Sequence, residues 1–156
     1  MLVVQSNVAN TYERLGRFEE SNRMQRDVYL GRLRLNGGEH GETLRSAYNY
    51  AHSLGQVQRF EEAKTLLRKT TPVARRTLGE GHEITLKMRE IYAALLYEDS
   101  AATLDDLREA VTTLEEIERT ARRVFGSGHP TVDTFVESLG YARAALAARE
   151  TPSPSA

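Results

Sequence analysis

Three histidines recur at matched positions and are the first residues whose type suggests chemistry. His40 and His82 are 42 residues apart, and His129 follows 47 residues later, each next to a glycine. Imidazole is the commonest protein ligand for metals such as zinc, so this pattern raises the question of a metal site. Ligands of one ion must lie within about 4 Å of each other, whereas equivalent residues of packed helices are roughly 8 to 10 Å apart. We therefore predict no metal site, and expect each histidine to hydrogen-bond or cap the start of the next helix.

No catalytic constellation is found in the sequence. It has no Gly-rich phosphate loop and no His-Glu-x-x-His motif, and every serine can be assigned to a helix face, a turn or the C-terminal end. Carboxylate pairs such as Glu19-Glu20 and Glu61-Glu62 fall near predicted first helical turns, where solvation and the helix dipole account for them. We predict that the chain is not an enzyme and uses no cofactor.

Composition narrows the range of partners. The 156 residues include 21 Lys and Arg against 22 Asp and Glu, a net charge of −1, and no cysteine. This is the composition of one globular domain without a disulfide framework, and without the basic field that would hold nucleic acid. The apolar runs are too short to span a membrane, and no signal-peptide core follows Met1. We expect a cytoplasmic protein that binds neither nucleic acid nor membranes.

The sequence repeats itself about every 42 residues, which decides the fold before any single motif does. A third copy is displaced by 47 residues, because five extra residues fall between Ala93 and Leu107. The matching segments are 16–21 with 58–63 and then 107–110, and 39–44 with 81–86 and then 128–131.

Each copy has the apolar spacing of two helices. The first copy carries one stripe through Val4, Val8, Tyr12 and Leu15 and a second through Phe18, Met24, Val28 and Leu35, separated by Gly16. Glycines after each second helix suit left-handed caps. Small residues stand where close helix crossings need them, at Ala9, Ala51, Ala93 and Gly140 in first helices and at Ser21, Ala63 and Ala110 in second helices.

These patterns predict seven helices, three hairpins and one last helix. The units are about 1–41, 42–82 and 83–129, followed by a capping helix over 130–149 in a domain that ends near residue 150. Residues 151–156 are predicted to be a disordered tail, because Thr151-Pro-Ser-Pro-Ser-Ala156 cannot pack.

The run Asn7-Val-Ala-Asn-Thr-Tyr12-Glu-Arg-Leu15-Gly16-Arg-Phe18-Glu-Glu-Ser21, together with the Leu-Gly-x-x-His turns, resembles the 42-residue tetratricopeptide repeat of kinesin light chains. The resemblance extends to about Arg149. It implies an all-α fold, a right-handed α-solenoid of three tetratricopeptide-type hairpins plus a C-terminal capping helix. It also implies a non-enzymatic scaffold that binds a protein or peptide in its concave groove, as an adaptor module or part of a larger assembly. The alternative is an oligomerisation segment or regulatory spacer of a longer repeat array.

Three departures from the repeat pattern have physical explanations. Gln58 replaces the usual turn glycine, and Pro72 lies inside a second helix, which we expect to kink near Lys69. The five extra residues can lengthen either the first helix or the loop of the third unit. Thr103 and Asp106 have the spacing of a capping box, which favours a fresh helix start there.

By the same resemblance, the first helices line the groove, and their polar residues would contact the ligand. An asparagine amide suits this role, because it both donates to and accepts from an extended peptide backbone. We expect Asn7 and Asn49, 42 residues apart, to lie side by side; alternatively, both are buried and bond the neighbouring helix. The groove residues assigned in this way are Asn7, Asn10, Arg14, Arg45, Tyr48, Asn49, His52 and Lys87.

Charged and apolar residues outside this set suggest two further interactions. Arg14, Arg45 and Lys87 outnumber Glu13 and Glu90 in the expected groove, so an acidic ligand is favoured. The first helix has no preceding repeat to cover it, so weak self-association through it is expected. Arginine pairs near the ends of the second helices either stabilise the helix termini or form a basic ridge, namely Arg32 and Arg34, Arg75 and Arg76, and Arg122 and Arg123.

Overall fold

A computed structural model describes residues 1–151, which form seven α-helices and no strand. The predicted helix count is confirmed, and the last helix extends one residue beyond its predicted end. Residues 152–156, most of the segment predicted to be a disordered tail, lie outside the described residues. The helices are α1 Leu2–Arg14, α2 Phe18–Asn36, α3 Gly41–Gln56, α4 Phe60–Leu78, α5 Glu83–Glu98, α6 Leu104–Phe125 and α7 Pro130–Glu150.

The helices belong to two compact units, Met1–Met88 and the chain from Arg89 onward, and the boundary falls within α5. In the first unit α1 packs on α2, α2 on α3 and α3 on α4. In the second, α6 packs on α7. Consecutive helices joined by turns of three or four residues form hairpins, as the repeat predicts.

The turns inside the first two hairpins share one geometry despite different residues. Gly16 and Gln58 are equivalent and have φ of 73° and 60°. The residue after each donates its N–H to the carbonyl five residues earlier, Arg17 to Tyr12 at 2.8 Å and Arg59 to Leu54 at 2.9 Å. Gln58 is the one non-glycine residue with positive φ in the described chain, so the second hairpin keeps the turn at a conformational cost.

The turns between hairpins end each second helix with a glycine and start the next helix with a histidine. Gly37, Gly79 and Gly126 have φ between 80° and 101°, but ψ between 154° and 167°. The positive φ is as predicted. The ψ values are not those of a left-handed helical cap, so that part of the prediction is wrong. This combination of φ and ψ is essentially accessible only to glycine.

The three histidines cap the helices that follow them, as predicted. His40 Nδ1 accepts from the N–H of Glu42 at 3.2 Å, and His82 Nδ1 accepts from Ile84 at 3.1 Å. His129 Nδ1 accepts from Thr131 at 3.2 Å. An acceptor at this place satisfies one of the unpaired amides of a first helical turn. In each of these bonds the Nδ1 lone pair accepts a backbone N–H.

The third unit accommodates its five extra residues in two places. Thr103 and Asp106 form the predicted capping box: Thr103 Oγ1 accepts from the Asp106 N–H at 3.1 Å, and Asp106 Oδ2 accepts from the Thr103 N–H at 2.8 Å. The new helix start gives α6 22 residues, against 19 for α4. The remaining two residues lengthen the loop before it, so the first helix, α5, keeps the 16 residues of α3.

Pro72 does not interrupt α4, which is continuous from Phe60 to Leu78. Proline lacks a backbone N–H, so the helix has one donor fewer at this position. The kink near Lys69 stays a prediction.

The small residues lie at helix contacts, with one exception. Ala9, Ser21, Ala51 and Ala63 are at most 1% exposed in the first unit, and Ala93 and Ala110 are fully buried in the second. The assignment of Gly140 is wrong: it is exposed, and a Cβ placed on it would meet no atom within 4 Å. Within the described chain no helix follows α7, so this side of the helix needs no small residue.

The predicted apolar stripe of α1 is also largely wrong as a packing face. Val4 and Leu15 are 61% and 66% exposed, and Val8 is 37% exposed. Ala9 is the one buried residue of the helix, and Leu2 approaches α2 at Gly31. The reason is that, among the described residues, α1 packs along its length against α2 only, so one narrow side of it is covered.

Candidate peptide-binding face

The residues predicted to bind a peptide lie on α1, α3 and the start of α5, all within the first unit. Asn7, Asn10 and Arg14 are exposed on α1, and Arg45 is exposed on α3. We call the surface formed by α1 and α3 on this side the groove face. The remaining predicted residues are half-buried, Tyr48, Asn49 and His52 on α3 and Lys87 on α5.

An ion pair joins the two helices of the groove face. His52 Nδ1 on α3 lies 3.4 Å from Glu13 Oε1 on α1, and the pair is ionic when the imidazole is protonated. The other ring nitrogen of His52 lies 3.4 Å from Gln56 Nε2. Equivalent faces of successive first helices are therefore adjacent here, and Glu13 is engaged by the protein itself.

Asn7 and Asn49 are the residues most suited to a peptide backbone. Asn7 is exposed and Asn49 is half-buried, so the alternative of two buried asparagines is wrong for Asn7. Within the described part of the chain neither side-chain amide makes a hydrogen bond. Each amide therefore retains its donors and its acceptor for another molecule.

The side chain of Asn10 is held by a hydrogen bond from Gln25, a buried residue that the sequence patterns did not identify. Gln25 on α2 is 2% exposed, and its Nε2 donates to Asn10 Oδ1 at 3.0 Å. This bond occupies the oxygen of Asn10 and leaves its amide N–H groups to donate outward. Gln25 Oε1 is buried without a hydrogen-bond partner among the described residues, which reduces the net stabilisation from this contact.

A second buried polar contact fixes α2 against α3. Asn22 Nδ2 donates to Ser53 Oγ at 2.9 Å, and both residues are at most 3% exposed. Asn22 and Gln25 are buried on the same side of α2 as Ser21, the small residue at the helix crossing. Their position beside a small crossing residue was a signal that could have predicted burial, although not their partners.

The cations of the groove face are partly neutralised. Lys87 pairs with Glu83 at 2.9 Å, and Arg45 Nε lies 3.8 Å from Glu42 Oε1. Arg14 makes no ion pair among the residues described. The positive charge available to an acidic ligand is thus smaller than the residue count alone predicts.

The arginines near the ends of the second helices do not form an open basic ridge. Most of them are compensated by glutamates rather than by helix-end carbonyls. The pairs are Arg32 with Glu42 at 3.2 Å, Arg75 with Glu80 at 3.2 Å, Arg76 with Glu39 at 3.0 Å and Arg122 with Glu118 at 2.7 Å.

Two other kinds of site, a metal centre and a membrane span, have no candidate in residues 1–151. No group of three His, Cys, Asp or Glu side chains there could hold a metal ion. No helix in this range has the length and hydropathy of a membrane span.

Comparison with known proteins places this architecture in a class. The model of the tetratricopeptide repeat family matches residues 1–76. Among curated proteins no sequence matches. Residues 1–76, just under half of the chain, therefore carry tetratricopeptide repeats, which generally bind protein partners and are typically found in non-enzymatic scaffolds.

Solved structures with the same fold include kinesin light chain-like repeat proteins. A kinesin light chain-like protein of Podosopora anserina, with nearly identical TPR-like repeats, is 22% identical and has a TM-score of 0.80 over 94% of this chain and 67% of that one. BtubC (BKLC) from P. vanneervenii is 16% identical, with a TM-score of 0.69 over 99% of this chain and 66% of that one. The chain thus spans about two thirds of the length of these two neighbours.

A single-residue variant of the Podosopora anserina protein gives a TM-score of 0.51 at 19% identity, over 96% of this chain and 88% of that one. At these identities the likeness concerns the fold. The fold class predicted from the repeat is confirmed: residues 1–76 match the tetratricopeptide repeat, and the chain has the fold of these kinesin light chain-like structures.

Proposed function

We propose that this protein is a non-enzymatic, cytoplasmic scaffold that binds an extended or short helical peptide on its groove face, as an adaptor module or part of a larger assembly. The observation that carries the proposal is the pair of unbonded amides, Asn7 and Asn49, on adjacent first helices. Polar groups that the protein does not use, arranged along two neighbouring helices, are suited to main-chain recognition of a peptide.

The contacts around these asparagines favour the same role. Gln25 orients Asn10 so that its amide N–H groups donate outward. Arg14, which makes no ion pair within the described chain, and the loosely paired Arg45 supply positive charge for an acidic side chain. The face is small, so we expect micromolar affinity, about −8 kcal/mol, and weaker binding at high salt.

A second function has its own observation in its favour. Val3, Val4 and Leu15 on α1 are between 60% and 66% exposed, and exposed apolar residues of this size promote association. As a regulatory spacer or oligomerisation segment, the protein would use this surface and would be indifferent to changes in Asn49 or Arg45.

Peptide selection followed by calorimetry tests the groove. A random 12-residue peptide library displayed on phage is selected on the wild-type protein, and the dissociation constant of the best peptide is measured for Asn7→Ala/Asn49→Ala and for Arg45→Glu. We expect each variant to bind at least about tenfold more weakly at an unchanged melting temperature, because the ligand loses main-chain or ionic contacts.

Arg34→Glu is the matched control, since it reverses an exposed charge on α2 rather than on a first helix. Its affinity should equal that of the wild type. Unchanged affinity of both groove variants would contradict the proposal. If only changes at Arg75 and Arg76 abolish binding, the ligand site is on the second helices instead.

A further inference from the structure

An apolar recess opens on the side of α3 that faces away from the groove face. Its α3 residues, Tyr50 and Leu54, lie on the helix side opposite to Asn49 and His52, as their spacing requires. The recess occupies about 480 Å³ between α2 and α4, and we call it the α2–α4 trough. Its apolar and aromatic lining consists of Tyr29, Leu30, Leu33, Tyr50, Leu54 and Leu66.

A smaller cavity of about 120 Å³ continues the trough along α2. It shares Tyr29, Leu33 and Lys69 with the larger recess and ends near Thr43 and Val73. The combined space is large enough for one or two large apolar side chains, and pockets of this size are typical of specific recognition.

Two tyrosines give the trough unused hydrogen-bonding capacity. The rings of Tyr29 and Tyr50 stack with centroids 6.0 Å apart. Tyr29 is only 7% exposed, and neither phenol hydroxyl makes a hydrogen bond within the described residues. Burial raises the pKa of both phenols, so they remain neutral and can donate as well as accept. Neither hydroxyl oxygen is fully buried, so both phenols can bond a group that enters the trough from solvent.

The rim of the trough is acidic at one end. Glu61 and Glu62 on α4 line it, with side chains 73% and 53% exposed. Glu61 pairs with Lys64, and both oxygens of Glu62 accept from Arg59, at 2.7 and 2.8 Å; each exposed oxygen keeps a second lone pair that can accept from another cation. Lys69, farther along α4, supplies the opposite charge.

We propose that the α2–α4 trough is a second binding site, for a protein segment that inserts one large apolar side chain and places an adjacent basic side chain against Glu61 and Glu62. The apolar side chain fills the recess, and the main chain beside it bonds the two phenols. Lys69 repels a second basic residue at the other end, so the charge pattern of the rim fixes the direction of the segment. This site is independent of the groove face and of the function proposed for it.

The test uses defined dipeptides in place of the unidentified segment. N-acetyl-Trp-Arg-amide, N-acetyl-Trp-Glu-amide and N-acetyl-Ala-Arg-amide are titrated into the ¹⁵N-labelled full chain, and amide shifts are followed by NMR. We expect N-acetyl-Trp-Arg-amide to shift the amides of Tyr29, Leu33, Tyr50 and Leu66 with a millimolar dissociation constant. The Trp-Glu peptide should bind at least about threefold more weakly, and the Ala-Arg peptide should not bind measurably.

Two variants distinguish the trough from the rest of the surface. Glu61→Gln/Glu62→Gln changes exposed side chains only, so it should fold normally and bind the Trp-Arg and Trp-Glu peptides equally. Asn7→Ala/Asn49→Ala should leave the titration unchanged, which separates failure of this site from failure of the groove. Absent trough shifts, equal binding of the three dipeptides by the wild type, or equal binding of free indole would each overturn the proposal.

Discussion

Helices α1 and α3 occupy equivalent places in successive repeats, yet they are packed very differently. α3 buries seven of its 16 residues, whereas α1 buries Ala9 alone. Their core positions correspond at an offset of 42 residues, as Leu2 and Leu44 or Ala9 and Ala51 show. The difference comes from neighbours, because α3 packs on both α2 and α4 while α1 packs on α2 only. The repeat sequence specifies a helix, and the adjoining repeat specifies how much of it is buried.

Truncating the equivalent leucines of α3 and α1 should give the largest difference in the free energy of unfolding. Leu44 is fully buried, so Leu44→Ala should lower the free energy of unfolding by about 3 kcal/mol through lost burial and a residual cavity. Leu2 is half-buried at the rim of the fold, and Leu2→Ala should cost about 1 kcal/mol or less. Urea denaturation followed by circular dichroism measures both. Equal losses would show that α1 and α3 are equally supported.

Replacing the equivalent buried alanines of α3 and α1 by leucine should also destabilise α3 more than α1, with a smaller difference in the free energy of unfolding. Ala51→Leu forces a large side chain into a crossing with 0% exposure, which should cost about 2 kcal/mol. Ala9 is also fully buried, but α1 can shift outward, so Ala9→Leu should cost less. Thermal melts measure the two changes. A melt of Ala51→Leu unchanged from the wild type would show that the repeat register is wrong.

The turn of the second hairpin offers a substitution that should stabilise the protein and not destabilise it. Gln58→Gly removes the strain of a side chain at φ of 60° and should raise the free energy of unfolding by about 1 kcal/mol. Gly16→Ala introduces the same strain in the first hairpin and should lower it by a similar amount. The two melting temperatures should move in opposite directions; a fall for Gln58→Gly would mean that its side chain makes a stabilising contact in solution.

The smallest effect concerns the uncovered side of α1. We expect weak self-association through it, detectable by sedimentation equilibrium only at high protein concentration. Val4→Asp/Val8→Asp should abolish this association without changing helicity, since both side chains already contact solvent. Val136→Asp, on an exposed apolar residue of α7, is the matched control and should leave it unchanged. A strictly monomeric wild type would contradict the expectation.

Local signals in the sequence predicted most of the fold. The histidine caps and the capping box of Thr103 and Asp106 depend on residues a few positions apart and were found as expected, whereas the glycines that end the second helices have the predicted positive φ but not the predicted ψ. Apolar periodicity was a weaker guide. It treated Val4 and Val8 as core because a period shows which residues share a side, but not whether another helix covers that side. The exposure of Gly140 has the same origin.

The candidate site was predictable in its residues but not in its bonds. The repeat offset identified Asn7 and Asn49, whereas Gln25 beneath Asn10 and Asn22 against Ser53 join residues 15 and 31 positions apart. No periodicity encodes such pairs. The α2–α4 trough could not be predicted for the same reason, since its lining comes from three helices and depends on the contact between Tyr29 and Tyr50.

The glutamates opposite the arginines of the second helices affect how fast a partner arrives. Arg32, Arg75 and Arg76 each face a carboxylate within 3.2 Å, so their fields largely cancel a few ångströms from the surface. A ligand diffusing toward the first unit therefore experiences little long-range attraction, and its association rate should be near the unsteered range of about 10⁵ to 10⁶ M⁻¹s⁻¹. Discrimination between ligands then depends on how long each complex lasts, which is set by the amides, phenols and apolar surface that the ligand reaches after contact.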